Sequence, residues 1–214
     1  MLDATNLNND VTVGILNYGL GNLQSIKNVI HKIGGKAEII DDVSQLKDAQ
    51  KLILPGIGAF DDGMTCLQEK SWIDALHHVV LEKKIPTLGI CLGMQLMCNK
   101  SEEGKLPGLG WFDANVVKFE MPQGSTFKIP HMGWNAIDVK KSNPIIHYKK
   151  EEQRYYFVHS SHVVCNSQSD VLASANHGYE FTAAISNNNI FATQFHPEKS
   201  HRFGMELMQH FLSI

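Results

Sequence analysis

What this chain lacks narrows its chemistry before any motif is read. It has no run of about 18 or more apolar residues, the length that crosses a bilayer, so no membrane partner is expected. Residues Met1 to Asp10 are polar and acidic, without the positive and apolar regions of a secretion signal, which predicts a cytoplasmic protein. There is no dense basic stripe, and the formal charge is −3, so nucleic acid is not an expected partner either. Cysteine is scarce. The four residues Cys66, Cys91, Cys98 and Cys165 show no CxxC spacing, which argues against a disulfide scaffold or a zinc ribbon and leaves reduced thiols. No internal repeat and no low-complexity tract interrupts the 214 residues, a length that suits one domain spanning 1–214.

What remains is an alternation of apolar runs. Val11 to Asn17, Lys36 to Ile40, Lys51 to Leu54 and Ile85 to Ile90 read as buried strands, with helical patterns near Asn22 to Ile33 and Trp72 to Lys83. That order predicts an α/β fold with a largely parallel sheet covered on both faces. The second half changes character. Trp111 to Phe119, Trp134 to Val139, Arg154 to His159, Val171 to Ala175, Tyr179 to Ser186 and Ile190 to Gln194 read as strands with few helices between, which predicts antiparallel pairing. Glu120 to His131 reads as a long loop, and Lys199 to Leu212 as a closing amphipathic helix with Phe203, Leu207, Met208 and Phe211 inward.

One cysteine stands out from the other three. Cys91 sits where the strand ending at Ile90 meets a helical pattern, between Gly89 and Gly93, which permit a sharp turn that exposes a nucleophile. Free N–H groups at a helix start favour the thiolate form of a thiol placed there. A thiol nucleophile needs a base, and Gln194-Phe195-His196-Pro197-Glu198 supplies one at another strand end. On an extended segment His196 and Glu198 point to one side, so the carboxylate can hold one imidazole nitrogen while the other faces the thiol. Strand ends gather along one edge of an open α/β sheet, which is where Cys91 and His196 are expected to meet. A third loop, Gly56-Ile57-Gly58, follows a strand and offers N–H groups to a developing oxyanion, with Leu92 N–H as the second donor.

These segments together resemble a known family. Pro55-Gly56-Ile57-Gly58-Ala59-Phe60, Gly89-Ile90-Cys91-Leu92-Gly93-Met94-Gln95, Pro130-His131-Met132-Gly133-Trp134-Asn135 and Gln194 to Ser200 are similar to the class I glutamine amidotransferase subunits of imidazole glycerol phosphate synthases, from about Val11 to the C-terminus. The resemblance implies a three-layer α/β fold, L-glutamine as substrate, no metal or organic cofactor, and a heterodimer with a (β/α)₈ cyclase that consumes the ammonia in histidine biosynthesis. It implies Cys91 as nucleophile, His196 as acid and base, and Glu198 as the carboxylate orienting it. Gln95 and Glu103 fall on positions that hold the amino-acid end of glutamine, and Ser160 and Ser161 on the segment that receives its carboxylate. Asn17, Asn22 and Trp134, the last in the Pro-His-Met-Gly-Trp-Asn loop, fall on the partner interface.

Two departures bear on these assignments. Many relatives carry aspartate at Asn17, and a tyrosine usually follows the segment ending at Ser160, where this chain reads Ser161-His162. Similar subunits deliver ammonia to synthases that modify surface-polysaccharide sugars, and spacing alone does not separate the two pathways. A cysteine peptidase of related architecture is the other enzymatic alternative. A dinucleotide site at Gly19-Leu20-Gly21, with Asp41 and Asp42 beyond the next strand, lacks its third glycine because position 24 is Gln24. The paired glycines around Ile57 further predict a loop whose peptide flips into an oxyanion hole only with the partner and its nucleotide ligand bound.

Overall fold

A computed structural model describes residues 11–214, so the acidic stretch Met1 to Asp10 lies outside the described residues. Five parallel strands form one half of the sheet, in the order β2 (Lys36–Ile40), β1 (Thr12–Leu16), β3 (Lys51–Leu54), β4 (Thr87–Ile90) and β12 (Ile190–Thr193). β3 and β4 are buried along their whole length, as strands covered on both faces must be. Helices α1 (Leu23–Lys32) and α5 (His201–Ser213) pack on one face through Ile26, Ile30, Leu207 and Phe211. On the other face lie α2 (Phe60–Glu69), α3 (Trp72–His77) and α4 (Leu92–Leu96), contributing Phe60, Met64, Trp72 and Leu96. Two cores on opposite sides of one sheet make the three expected layers.

A lysine ties the layers at the far end. Lys51 is buried in β3, and its Nζ donates to the carbonyls of Phe211, Leu212 and Ile214 at 2.9, 2.9 and 2.6 Å, closing the C-terminal end of α5 with a positive charge.

Beyond β12 the pairing turns antiparallel, through β11 (Glu180–Asn187), β10 (Val171–Asn176), β7 (His131–Val139) and β8 (Gln153–His159). A branch leaves β11 through β9 (Ser161–Cys165) to β6 (Ala114–Lys118) and the two-residue β5 (Lys100–Ser101). Helix α2, β5 and β9 go beyond the elements read from the sequence. The strand expected over Trp111 to Phe119 is shorter, because Trp111 and Phe112 turn back to bond the carbonyl of Met97. Trp134 belongs to no loop: β7 begins at His131, in register with His159 of β8. Among the described residues no helix is long and apolar enough to cross a membrane.

Candidate active site

Cys91 occupies the single residue between β4 and α4, with φ 54° and ψ −109°. That is the left-handed half of backbone space, which costs a residue with a side chain about 1 to 3 kcal/mol. The surroundings enforce it. Cys91 N donates to Thr193 O at 2.8 Å, locking the turn onto β12, and α4 lies so close to β3 that a Cβ on Gly93 would stand 1.9 Å from Leu54 O. A side chain at 93 is therefore excluded by backbone, and the sharp turn follows. The Cys91 Sγ lies 3.9 Å from Val158 O and 3.7 Å from Gln194 Nε2.

His196 arrives from the adjacent strand β12, its backbone N–H held by Tyr156 O at 2.9 Å. Its Nδ1 donates to Glu198 Oε1 at 2.8 Å, and both side chains are almost fully buried. The link differs from the expected extended geometry: Pro197–Lys199 forms a 3₁₀ turn, for which the fixed φ of proline suits the first position. The carboxylate reaches Nδ1 across the turn, which leaves Nε2 as the nitrogen for the thiol. Among the described residues no atom meets Nε2 at regular hydrogen-bond geometry, yet Cys91 is close enough to act on the ring. Burial opposes a charged imidazole, but hydrogen bonding and charge interaction with Cys91 and Glu198 outweigh it and raise His196 to about 9. An imidazolium between a thiol sulfur and a carboxylate is thus the favoured state at neutral pH.

Cys91 opens into a cavity of about 410 Å³, lined also by Ile57, Gly58, Leu92, Gln95, Glu103, Pro130, Val158, His159 and Ser160. The size suits an amino acid and the lining is mixed, with one carboxylate at Glu103. Gly58 has φ 113°, a conformation that residues with a side chain rarely adopt. Gly56 is needed for another reason: a Cβ there would meet Tyr18 Oη at 2.6 Å and Leu92 Cβ at 2.8 Å. Leu92 N–H, first of α4, has no intrahelical partner.

The structure therefore gathers Cys91, Ile57, Gly58, Leu92, Gln95, Glu103 and Ser160 around one cavity, with His196 and Glu198 buried next to Cys91, and places Gly56 and Ser161 behind its wall. Ser161 is buried rather than presented to a substrate: its carbonyl accepts from Gln95 Nε2 at 3.2 Å, and its hydroxyl donates to Glu103 Oε1 at 2.5 Å. Asn17 and Asn22 stand apart, after β1, where Asn17 Nδ2 donates to Asp41 Oδ1 at 2.6 Å and Asn22 is exposed. Trp134 projects from β7 and stacks on His201 at 5.2 Å between ring centres, still partly exposed.

Three contributors went unread in the sequence. Gln194 touches the sulfur and accepts from Gln95 Nε2 at 3.1 Å, although it lies within the quoted motif. Asp61 accepts from the backbone N–H groups of Lys105 and Leu106 at 2.9 to 3.1 Å and so fixes the loop that carries Glu103. Tyr18 donates to Pro55 O at 2.7 Å, and burial first, then Cys91 and Cys66, keeps its phenol protonated. A polar residue beside an apolar strand gives no sign of such partners.

Comparison with known proteins adds to this geometry. A family model described as glutamine amidotransferase class-I matches residues 14–213. The chain is 50% identical over 200 residues to imidazole glycerol phosphate synthase subunit HisH 2 of Methanococcus maripaludis, covering 94% of this chain and 98% of that one. It is 44% identical over 200 residues to the protein of the same description from Pseudomonas aeruginosa, with the same coverage. Among solved structures it is similar to a chain of PurLQS from Thermotoga maritima, with TM-score 0.74 and 19% identity over 94% of this chain and 97% of that one. A glutamine amidotransferase crystal structure gives TM-score 0.72 at 20% identity, covering 94% and 96%. At such identity the structures speak for the fold alone.

Proposed function

The chain belongs to the glutamine amidotransferase class-I family, and on that premise we propose that it is the glutaminase subunit of an imidazole glycerol phosphate synthase. It hydrolyses L-glutamine to glutamate and ammonia and passes the ammonia to a cyclase subunit in histidine biosynthesis, as a single domain of residues 1–214 working in the cytoplasm. The observation that carries this reading is the convergence of the Cys91 thiol, the His196 imidazole and the Glu198 carboxylate, with Cys91 opening onto an amino-acid-sized cavity.

The chemistry follows from the arrangement. The Cys91 thiolate attacks the carboxamide carbon of glutamine, and the oxyanion that forms meets Leu92 N–H and the N–H groups of the Gly56-Ile57-Gly58 loop. His196 delivers its Nε2 proton to the leaving nitrogen, ammonia departs, and a glutamyl thioester remains. Water, deprotonated by the now neutral imidazole, cleaves the thioester, releasing glutamate and regenerating the Cys91 thiolate beside a protonated His196. Glu103 faces the substrate ammonium from the cavity wall, while Gln95 and the Ser160 backbone bound its amino-acid end.

A partner surface next to the cavity supports the heterodimer. Ile57 and Pro130 line the cavity, Ile129 and Met132 flank Pro130, and all but the proline are exposed apolar side chains. Trp134 projects from β7 on the same side as Met132, and Asn17 and Asn22, at the end of β1, would meet the partner at a separate place. With Ile57 exposed and Gly58 unobstructed, the oxyanion loop is free to change its peptide orientation when a partner covers it.

Glutamine hydrolysis measured with and without candidate synthase subunits tests this. Addition of the imidazole-forming cyclase and its nucleotide ligand is expected to raise turnover about 10²-fold, the worth of one oxyanion donor. Equal rates remove the gating loop, activation only by a sugar-modifying synthase moves the chain to the other pathway, and no hydrolysis with any partner rejects the glutaminase. The pH profile is a second check. Because His196 must be protonated to expel ammonia, kcat/KM is expected to hold through neutral pH and to fall above about 9.

A further inference from the structure

Strand β7 carries a buried imidazole that the mechanism above does not use. His131 and Asn135 lie on the inward face of β7, while Met132 and Trp134 point outward. His131 Nδ1 is 2.9 Å from His159 Nε2, His159 Nδ1 is 2.8 Å from Ser161 O, and Asn135 Nδ2 is 3.2 Å from His131 Nε2. Only one distribution of protons satisfies all three contacts. A carbonyl can only accept, so His159 carries its proton on Nδ1 and presents a bare Nε2. His131 must then donate from Nδ1, which leaves its own Nε2 bare for the amide of Asn135. Asn135 Nδ2 is itself anchored on Asn176 O of β10 at 2.8 Å.

We infer that His131 and His159 are positioning residues, a directed hydrogen-bonded pair of neutral imidazoles that holds the 159–161 segment of the cavity wall in register with β7. The chain of donors runs from Asn135 through both rings to the Ser161 carbonyl, where Gln95 Nε2 donates from the other side. The Ser161 hydroxyl continues it to Glu103. Ser160 and Glu103, which line the cavity, are thereby set by a link that begins outside it.

The surroundings keep both rings uncharged. His131 stacks on His177 at 4.1 Å between ring centres and packs on Phe157, while Phe119 and Phe181 lie against His159. The titratable groups nearest the pair are His177, whose Nε2 donates to Lys128 O, and His162, bonded to Tyr179 Oη. Burial, then His177, pushes His131 down to about 4; burial, with the neighbouring imidazoles, pushes His159 down to about 3. A second proton on either ring would set two donors against each other. Among the described residues these imidazoles form no group able to hold a metal ion.

The inference rests on the glutaminase reading only for its kinetic test. In the full chain with selectively ¹⁵N-labelled histidine, His131 and His159 are expected to carry the proton on Nδ1 alone and to stay neutral between about pH 6 and 8. His131→Phe fills the same aromatic space but leaves His159 Nε2 unpaired. It is expected to raise the glutamine KM about tenfold with kcat within about threefold. His131→Asn, whose amide nitrogen stands where Nδ1 stood, is expected to restore KM to within about threefold of the native value. A merely structural histidine would give the two variants the same KM. A proton on Nε2 of either ring, or a native KM in His131→Phe, overturns the inference. Should His131→Phe not fold, the proton positions and His131→Asn decide it. A native protein that hydrolyses no glutamine with any partner rejects the functional reading instead, and the proton positions still decide the pair.

Discussion

With Cys91 replaced by alanine, the partner-bound protein is expected to lose at least about 10⁴-fold in glutamine turnover, the scale on which a covalent nucleophile is missed. No other thiol substitutes for it. Cys98 and Cys165 are buried, and burial pushes both thiols up, Cys165 to about 12. Neither they nor Cys66, the remaining thiol, line the cavity. The loss should be confined to chemistry. Alanine at φ 54° is strained in the same way as cysteine, so the Cys91→Ala protein should melt at the native temperature. Its partner should also remain active when ammonia is supplied directly, because only the source of ammonia has been removed. Glutamine hydrolysis that survives the substitution would place the nucleophile elsewhere and undo the proposed mechanism.

Glu198→Gln should cost nearly as much, about 10³- to 10⁴-fold in kcat/KM. The carboxylate accepts from His196 Nδ1 at 2.8 Å while nearly fully buried, and its other oxygen has no hydrogen-bond partner among the described residues. A glutamine amide either opposes Nδ1–H with its own donors or accepts through its carbonyl without the negative charge. Either way the imidazolium is stabilised less, so the alkaline limb of the pH profile should move below about 9. Rate and profile together separate an electrostatic role from a packing one. A Glu198→Gln protein with native rate and an unmoved limb would show that the carboxylate does nothing for the base.

The parallel half of the fold was the more legible in the sequence. β2 and β3 fall where the sequence places them, Lys36–Ile40 and Lys51–Leu54: β3 because a strand buried along its whole length leaves a compact apolar run, and β2, at the sheet edge, because alternating burial leaves apolar residues on one face. Helix α2 was not legible: Phe60–Glu69 carries Gly63 and two early aspartates, and it is held in place by Leu92 and Leu96 of α4 instead of a long apolar stripe. β9 was hidden because Ser161 follows the end of β8 with only Ser160 between them. In the site, motif spacing pointed to Cys91, His196 and Glu198, whose elements end on one sheet edge. It could not show that Pro197 starts a turn, that Ser161 faces Glu103 from behind the wall, or that Asp61 reaches across to the loop at 105. Those are contacts between segments far apart in sequence, made by polar side chains whose types are common on any surface.

The left-handed backbone at position 91 has a consequence for how this protein tolerates change. A glycine would relieve the conformational cost there, so selection for heat resistance alone would erase the sulfur, and only selection for turnover retains it. Substitutions that loosen the grip of Thr193 O or the close fit at Gly93 would let the turn relax toward an ordinary conformation. Such variants would be poor catalysts, and those at Gly93 would also have to shift the backbone of β3 to fold at all.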